Sequence, residues 1–158
     1  MIELIRRLDA LERRLKDLER MEAGTSGTFT PAYGGTSTNG SITYTTQSGT
    51  YWRVGSLCYI RLRLVINVLT TAPTGTLLIT GLPFTVTNAA ATVYDTLEVW
   101  HSSLNVTNAT TDVVAIATPN GTRLEIWECT DAIAAVGVNA ANIVAATQLM
   151  VSGWFTIA

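Results

Sequence analysis

Leu57-Cys58-Tyr59-Ile60-Arg61-Leu62-Arg63-Leu64-Val65-Ile66-Asn67-Val68-Leu69 is the stretch that decides the fold class. Cys58, Ile60, Leu62, Leu64, Ile66 and Val68 recur at every second position and are all apolar, whereas Tyr59, Arg61, Arg63 and Asn67 fall between them. Successive side chains on a strand point to opposite faces, so this pattern predicts a half-buried antiparallel strand with one wet face.

Working outward, further strands follow at close spacing. Ile42–Thr46 and Thr50–Val54 read as strands separated by Gln47-Ser48-Gly49, with Gly49 and Gly55 supplying turns on either side of the second. Thr76–Thr80 comes next, and Pro83 in Gly81-Leu82-Pro83-Phe84 ends its ladder pairing. Thr92–Trp100 alternates again. Val113–Ala117 and Thr122–Glu128 are joined through Pro119-Asn120-Gly121, a strong turn signal, and Gln148–Ile157 closes the chain. Asp131–Ala146 reads as a strand–turn–strand or as a loop crossing a threefold axis. The 26 threonines, concentrated after residue 24, suit pleated and partly exposed surface. Short strands at this spacing with no helix between them predict a mostly β protein, an antiparallel sandwich or jelly-roll-like head over residues 41–158.

Residues 1–22 are a different object. They carry six of the ten basic groups and six of the twelve acids of the chain. As heptads with Met1 at position a, the a sites are Met1, Leu8 and Leu15 and the d sites are Leu4, Leu11 and Leu18. No Gly or Pro interrupts, and Arg, Glu, Lys and Ala between them are good helix formers. An isolated helix of this length is marginal in water, and a strict a/d stripe overcomes this by burying its seam against copies of itself. Arg7 and Arg14 at g face Glu12 and Glu19 at e of a parallel neighbour. Both units, Arg7-Leu8-Asp9-Ala10-Leu11-Glu12 and Arg14-Leu15-Lys16-Asp17-Leu18-Glu19, resemble the R-h-x-x-h-E motif of short parallel trimeric coiled coils. A homotrimer is therefore expected. Residues 23–40, with five Gly and one Pro, read as a linker that becomes the first short strand near Phe29.

Composition excludes several functions. The formal net charge is −2, and after residue 22 only four Arg and six acids remain, so there is no basic surface for nucleic acid. No apolar run reaches the length of a transmembrane helix, and no secretory signal is visible at the N-terminus. Cys58 and Cys129 read as small buried apolar residues and not as a disulfide framework. A head so poor in charge leaves much neutral surface, part of which a trimer would cover.

Chemistry is sparse. The sole histidine, His101, sits in Trp100-His101-Ser102-Ser103 without a triad pattern, and one His with two Cys cannot furnish a zinc site. Asp95 with Glu98, or Glu125 with Glu128, are the carboxylate pairs to weigh for glycan hydrolysis, but Glu125 and Glu128 fall on opposite strand faces. No phosphate-binding or dinucleotide fingerprint occurs, so neither an enzyme nor a cofactor or metal is expected. Of Trp52, Trp100, Trp127 and Trp154, each is by average behaviour a core residue, though together they offer a sugar-stacking platform. Trp100, beside His101 and a Ser/Asn/Thr-rich stretch, is the least core-like, and Trp100 and His101 are the candidate receptor-binding pair.

Gly27-Thr28-Phe29-Thr30-Pro31, Tyr44-Thr45-Thr46-Gln47-Ser48-Gly49-Thr50-Tyr51-Trp52-Arg53-Val54-Gly55, Gly81-Leu82-Pro83-Phe84 and Val151-Ser152-Gly153-Trp154-Phe155 occur in that order. Together they resemble a β module found at the C-termini of bacteriophage tail fibres and related virion proteins, over about residues 27–158. The resemblance implies a virion component assembled in the host cytoplasm, in contact with other tail or capsid proteins. On this reading the head recognises a host surface glycan or protein. A capsid decoration or head-fibre protein has the same build, and the lack of a long shaft keeps that reading in view. A glycan-degrading tail tip is the third.

Overall fold

The computed structural model describes residues 2–22, 24–88, 94–106, 112–130 and 134–158. Ile2–Glu22 form one α-helix, α1. Its heptad side chains Leu8, Leu11 and Leu15 are 58%, 61% and 57% exposed, so the apolar stripe lies open along the helix. Arg7 pairs with Glu3 one turn earlier at 3.6 Å, the favourable Glu-before-Arg order for residues four apart. The side chains of Leu4, Leu18 and Glu19 lie outside the described residues.

The rest of the chain is β: β1 (Thr25–Phe29), β2 (Ala32–Gly35), β3 (Ser41–Val54), β4 (Leu57–Thr71), β5 (Leu77–Thr80), β6 (Thr96–Leu104), β7 (Asp112–Ala117), β8 (Arg123–Cys129), β9 (Val136–Gly137) and β10 (Ile143–Thr156). Every pairing is antiparallel, and the order across the sheet is β1-β3-β4-β10-β6-β7-β8-β5-β2, with β9 added to β8. The strands thus form one continuous sheet and not the two separate sheets of the expected sandwich. Its outermost strands, β1 and β2, are joined by Thr30 and Pro31 alone. The step from Phe29 to Ala32 reaches at most about 11 Å, so the two edges must lie close together and the sheet curls on itself. Across this closure the Gln47 side-chain amide donates to the Pro31 carbonyl at 2.9 Å, and the Tyr33 amide donates to the Tyr44 hydroxyl at 2.9 Å. Residues 25–35, expected as a linker with one strand, therefore supply both edges of the sheet.

The concave side is the core. Ile60, Leu64 and Ile66 of β4 meet Leu77 and Ile79 of β5, Leu124 and Ile126 of β8 and Leu149, Val151 and Phe155 of β10, each no more than 2% exposed. Burying a side chain of this size stabilises the fold by about 1.5–3 kcal/mol.

Local departures from the expected pattern have physical causes. Gln47-Ser48-Gly49 is not a turn: β3 runs unbroken through it. Gly49 is buried opposite Phe29 of β1, and a Cβ there would lie 2.5 Å from the Phe29 ring. Glycine is needed for close approach, not for a bend. Gly55, at φ +57°, does make the tight β3–β4 turn. The alternation of β4 holds to Ile66 and then reverses, because the β3–β4 ladder skips residues between Thr43 and Thr46. A bulge re-aims side chains, so Leu69 packs on the core while Val68 is 49% exposed.

The segment Asp131–Ala146 resolves into β9, a 3-10 turn at Ala140–Asn142 capped by the Asn139 side chain, and the start of β10; Asp131–Ile133 lie outside the described residues. Thr92 and Val93, expected to open a strand, also lie outside them, and β6 begins at Thr96. Cys58 and Cys129 are both free thiols, Cys58 fully buried and Cys129 half-buried.

Candidate functional site

Strand alternation leaves one broad face of the sheet to solvent, across β3, β4, β10, β6 and β7. The ladders align its side chains into rows. Thr50, Arg61, Ser152, Glu98 and Val114 follow one another across the five strands. Ser48, Arg63, Met150 and Trp100 form the adjoining row. Together with Asp112 these residues line a shallow groove of about 920 Å³.

The groove is electrostatically divided. Arg61 and Arg63 project from β4, whereas Glu98 and Asp112 project from β6 and β7. β10 lies between β4 and β6, and neighbouring strands are about 4.8 Å apart, so the β4 backbone stands about 10 Å from that of Glu98 and about 14 Å from that of Asp112. Among the described residues no ion pair crosses this space. Arg63 donates to the Gln148 side-chain oxygen at 3.3 Å, which holds its stem along the sheet. Met150 of β10 lies between the charged walls and Trp100 stands on β6 two residues from Glu98; they are 39% and 51% exposed. The groove can therefore donate hydrogen bonds on one side, accept them on the other, and offer a thioether between and an indole beside the acids.

Trp100 and His101 do not form one site. Trp100 pairs with exposed Met150, but His101 pairs with fully buried Leu149 and so faces the opposite side of β6. The carboxylate pairs weighed from the sequence also separate. The Asp95 carboxylate accepts from the Thr156 amide at 2.7 Å, while Glu98 faces the groove. Glu125 accepts from the Trp127 indole at 3.3 Å, whereas Glu128 is buried at 3%. Asp112, opposite Cys129 at the start of β7, is the groove acid that sequence reading missed.

None of the four tryptophans is a core residue, which departs from the average expectation for Trp52, Trp127 and Trp154 and agrees with the reading of Trp100 as the least core-like. Trp52, Trp100 and Trp154 are 44%, 51% and 44% exposed, and Trp127 is half-buried. They occupy outward positions of strands whose alternate residues are aliphatic, so the period of the strand overrides the average preference of the residue. Trp52, Tyr59 and Trp154 come together on the same outer face, Trp154 lying 5.6 Å from Trp52 and 5.2 Å from Tyr59 between ring centroids.

The residues that carried the resemblance mostly pack on one another. Tyr51 meets Phe84 edge to face at 5.1 Å, the Arg53 guanidinium stacks 5.1 Å over the same ring, and Phe29 covers Gly49. Phe84 thereby plugs the end of the core nearest the β3–β4 turn, which is a structural role. Burial pushes the Tyr33 and Tyr44 hydroxyls above the usual phenol range; the charge of Tyr44 adds to the first, and the Tyr33 amide bond partly offsets the second. Burial also pushes the Cys58 thiol up to about 11, with nearby Arg53 opposing it.

Among the described residues no three His, Cys, Asp or Glu side chains cluster as a metal site would require, and no helix is long and apolar enough to cross a membrane.

No protein-family model matches the sequence, and no curated protein matches it. The fold does have a solved counterpart. It is similar to part of the Dettilon tailspike protein (gp208), with a TM-score of 0.67 at 15% identity over 85% of this chain. The chain spans 24% of the length of that tailspike chain.

Proposed function

We propose that this chain is a trimeric bacteriophage virion protein of the tail, a fibre or tip subunit whose β head attaches the particle to the host surface. The observation that carries this reading is the fold shared with a segment of a tailspike, on a head preceded by a helix with an open heptad stripe. The order of the fibre-like motifs supports it independently. Three heads held by one coil present three copies of a weak site, and such linkage raises avidity without any new contact.

The groove lined by Arg61, Arg63, Glu98, Trp100, Asp112 and Met150 is the attachment site on this reading. Its divided charge suits a neutral oligosaccharide. Sugar hydroxyls both donate and accept, so one chain of sugars serves the arginine wall and the carboxylate wall together. A polyanion would meet Glu98 and Asp112, and a basic peptide would meet Arg61 and Arg63. Trp100 stacks on the apolar face of a pyranose ring. The role is binding without catalysis.

Purified full-length chain added to cells of the host competes with virions for attachment sites. We expect it to block adsorption, and Trp100→Ala to weaken that block by about tenfold. A chain that leaves adsorption untouched at saturating concentration would remove the attachment role.

A further inference from the structure

The solvent-facing cluster Trp52, Leu57, Tyr59 and Trp154 lies outside the groove and is unaccounted for by glycan binding. Trp52, Leu57 and Trp154 are 44%, 48% and 44% exposed, a costly amount of apolar surface to leave in water. The rings are not coplanar: Trp154 stands at 63° to Trp52 and 53° to Tyr59, so the cluster offers no flat platform for a sugar. What it adjoins is the point where the helix joins the head. A Cβ on Gly24 would lie 2.7 Å from the Trp52 indole nitrogen, so Gly24 lies against the edge of that ring. Glu22, the last helical residue, is two residues away, within about 7 Å of Gly24 along the chain.

In a parallel trimer, helices packed about 9 Å apart lie about 5 Å from the common axis. Chain connectivity therefore keeps Trp52 near that axis in each of the three copies. We propose that Trp52, Leu57, Tyr59 and Trp154 form the contact between neighbouring heads just beyond the coil, the occupant being a second copy of this chain. This rests on the trimer reading above and extends it from the coil to the head. The apolar seam of the coil continues into the head as an aromatic collar, so that coil and heads form one assembly and the grooves are held at fixed mutual positions.

The test uses the full chain. Trp100→Phe with Trp127→Phe leaves Trp52 and Trp154 as the fluorescent reporters. Acrylamide quenching is compared between this assembled chain and the same chain carrying Leu8→Asp and Leu15→Asp, which opens the coil. Quenching at least about twofold weaker in the assembled chain is expected for indoles covered by a neighbour. Equal quenching in both, with the first sedimenting as a trimer, would overturn the collar and leave the coil intact. Sedimentation of the first chain as a monomer would instead overturn the trimer reading itself. As a second measurement, Trp52→Ser with Trp154→Ser should raise the concentration at which the trimer dissociates by about tenfold, and Trp100→Ser should leave it unchanged. Equal dissociation of all three would also overturn the proposal.

Discussion

The Trp52 and Trp154 indoles meet edge to face with ring centroids 5.6 Å apart, from strands β3 and β10, which are separated by β4. Tyr59 of β4 sits between them in the ladder, paired with Trp52 on one side and Trp154 on the other. The contact thus crosses three strands on the outside of the sheet, where both indoles stay 44% exposed. Together with the open leucine stripe of α1, it is the apolar surface that the proposed trimer would cover.

The proposed trimer is tested first at its coil. Leu11→Asp with Leu15→Asp puts charge into the seam, where a buried unpaired carboxylate is strongly disfavoured. Sedimentation should change from trimer to monomer, while circular dichroism of the β head stays the same, because the core excludes α1. A trimer that survives both substitutions would mean that the heptads do not hold it.

Gly49→Val tests the closure of the sheet. The new side chain would begin 2.5 Å from the Phe29 ring, forcing β1 away from β3. Overpacking of this kind costs about 1–3 kcal/mol. The urea midpoint should fall, and Phe29→Ala in the same chain should recover part of the loss by clearing the space. Gly49→Val without effect on the midpoint would show that β1 is not needed for stability.

Cys58 gives the fold a dependence on alkaline pH. Burial raises its thiol from 9.0 to about 11, so the folded state favours the protonated form. The corresponding stability is whole below pH 9.0 and is lost as pH rises toward about 11. Cys58→Val abolishes this term. The difference in denaturation midpoint between wild type and Cys58→Val should therefore move in favour of the variant across that window. A constant difference would mean that the thiol is solvated in the folded state.

Glycan cleavage provides a check on the binding role. Neutral and acidic bacterial polysaccharides incubated with the full chain should yield no new reducing ends. Glu98 and Asp112 are on adjacent strands, diagonally placed in the groove, and are the carboxylates to substitute should cleavage occur. Reducing ends that appear with wild type and vanish with Glu98→Gln would make the protein a glycan hydrolase.

The sequence made the strands of this head legible where alternation was strict. The face of Cys58, Ile60, Leu62, Leu64 and Ile66 is buried as its period implied, and Tyr59, Arg61 and Arg63 face outward. The same alternation, carried into β3 and β10, already placed Trp52 and Trp154 on the outer face, yet the average burial of tryptophan argued the other way. Gly49 misled for a related reason: a glycine in sequence announces a turn or a close approach alike, and only the ring of Phe29 decides between them. The groove was less legible, because Arg61, Glu98 and Asp112 come from strands far apart in sequence. Their meeting depends on β10 inserting between β4 and β6, which no local pattern encodes.

Gold-labelled antibody against the full chain, applied to intact virions of the phage to which the proposed function would assign it, tests the central claim most directly. Label confined to the distal tail is the expected result. Label spread over the head shell would contradict the attachment role and make the chain a capsid decoration protein, and particles without label would contradict its place in the virion altogether.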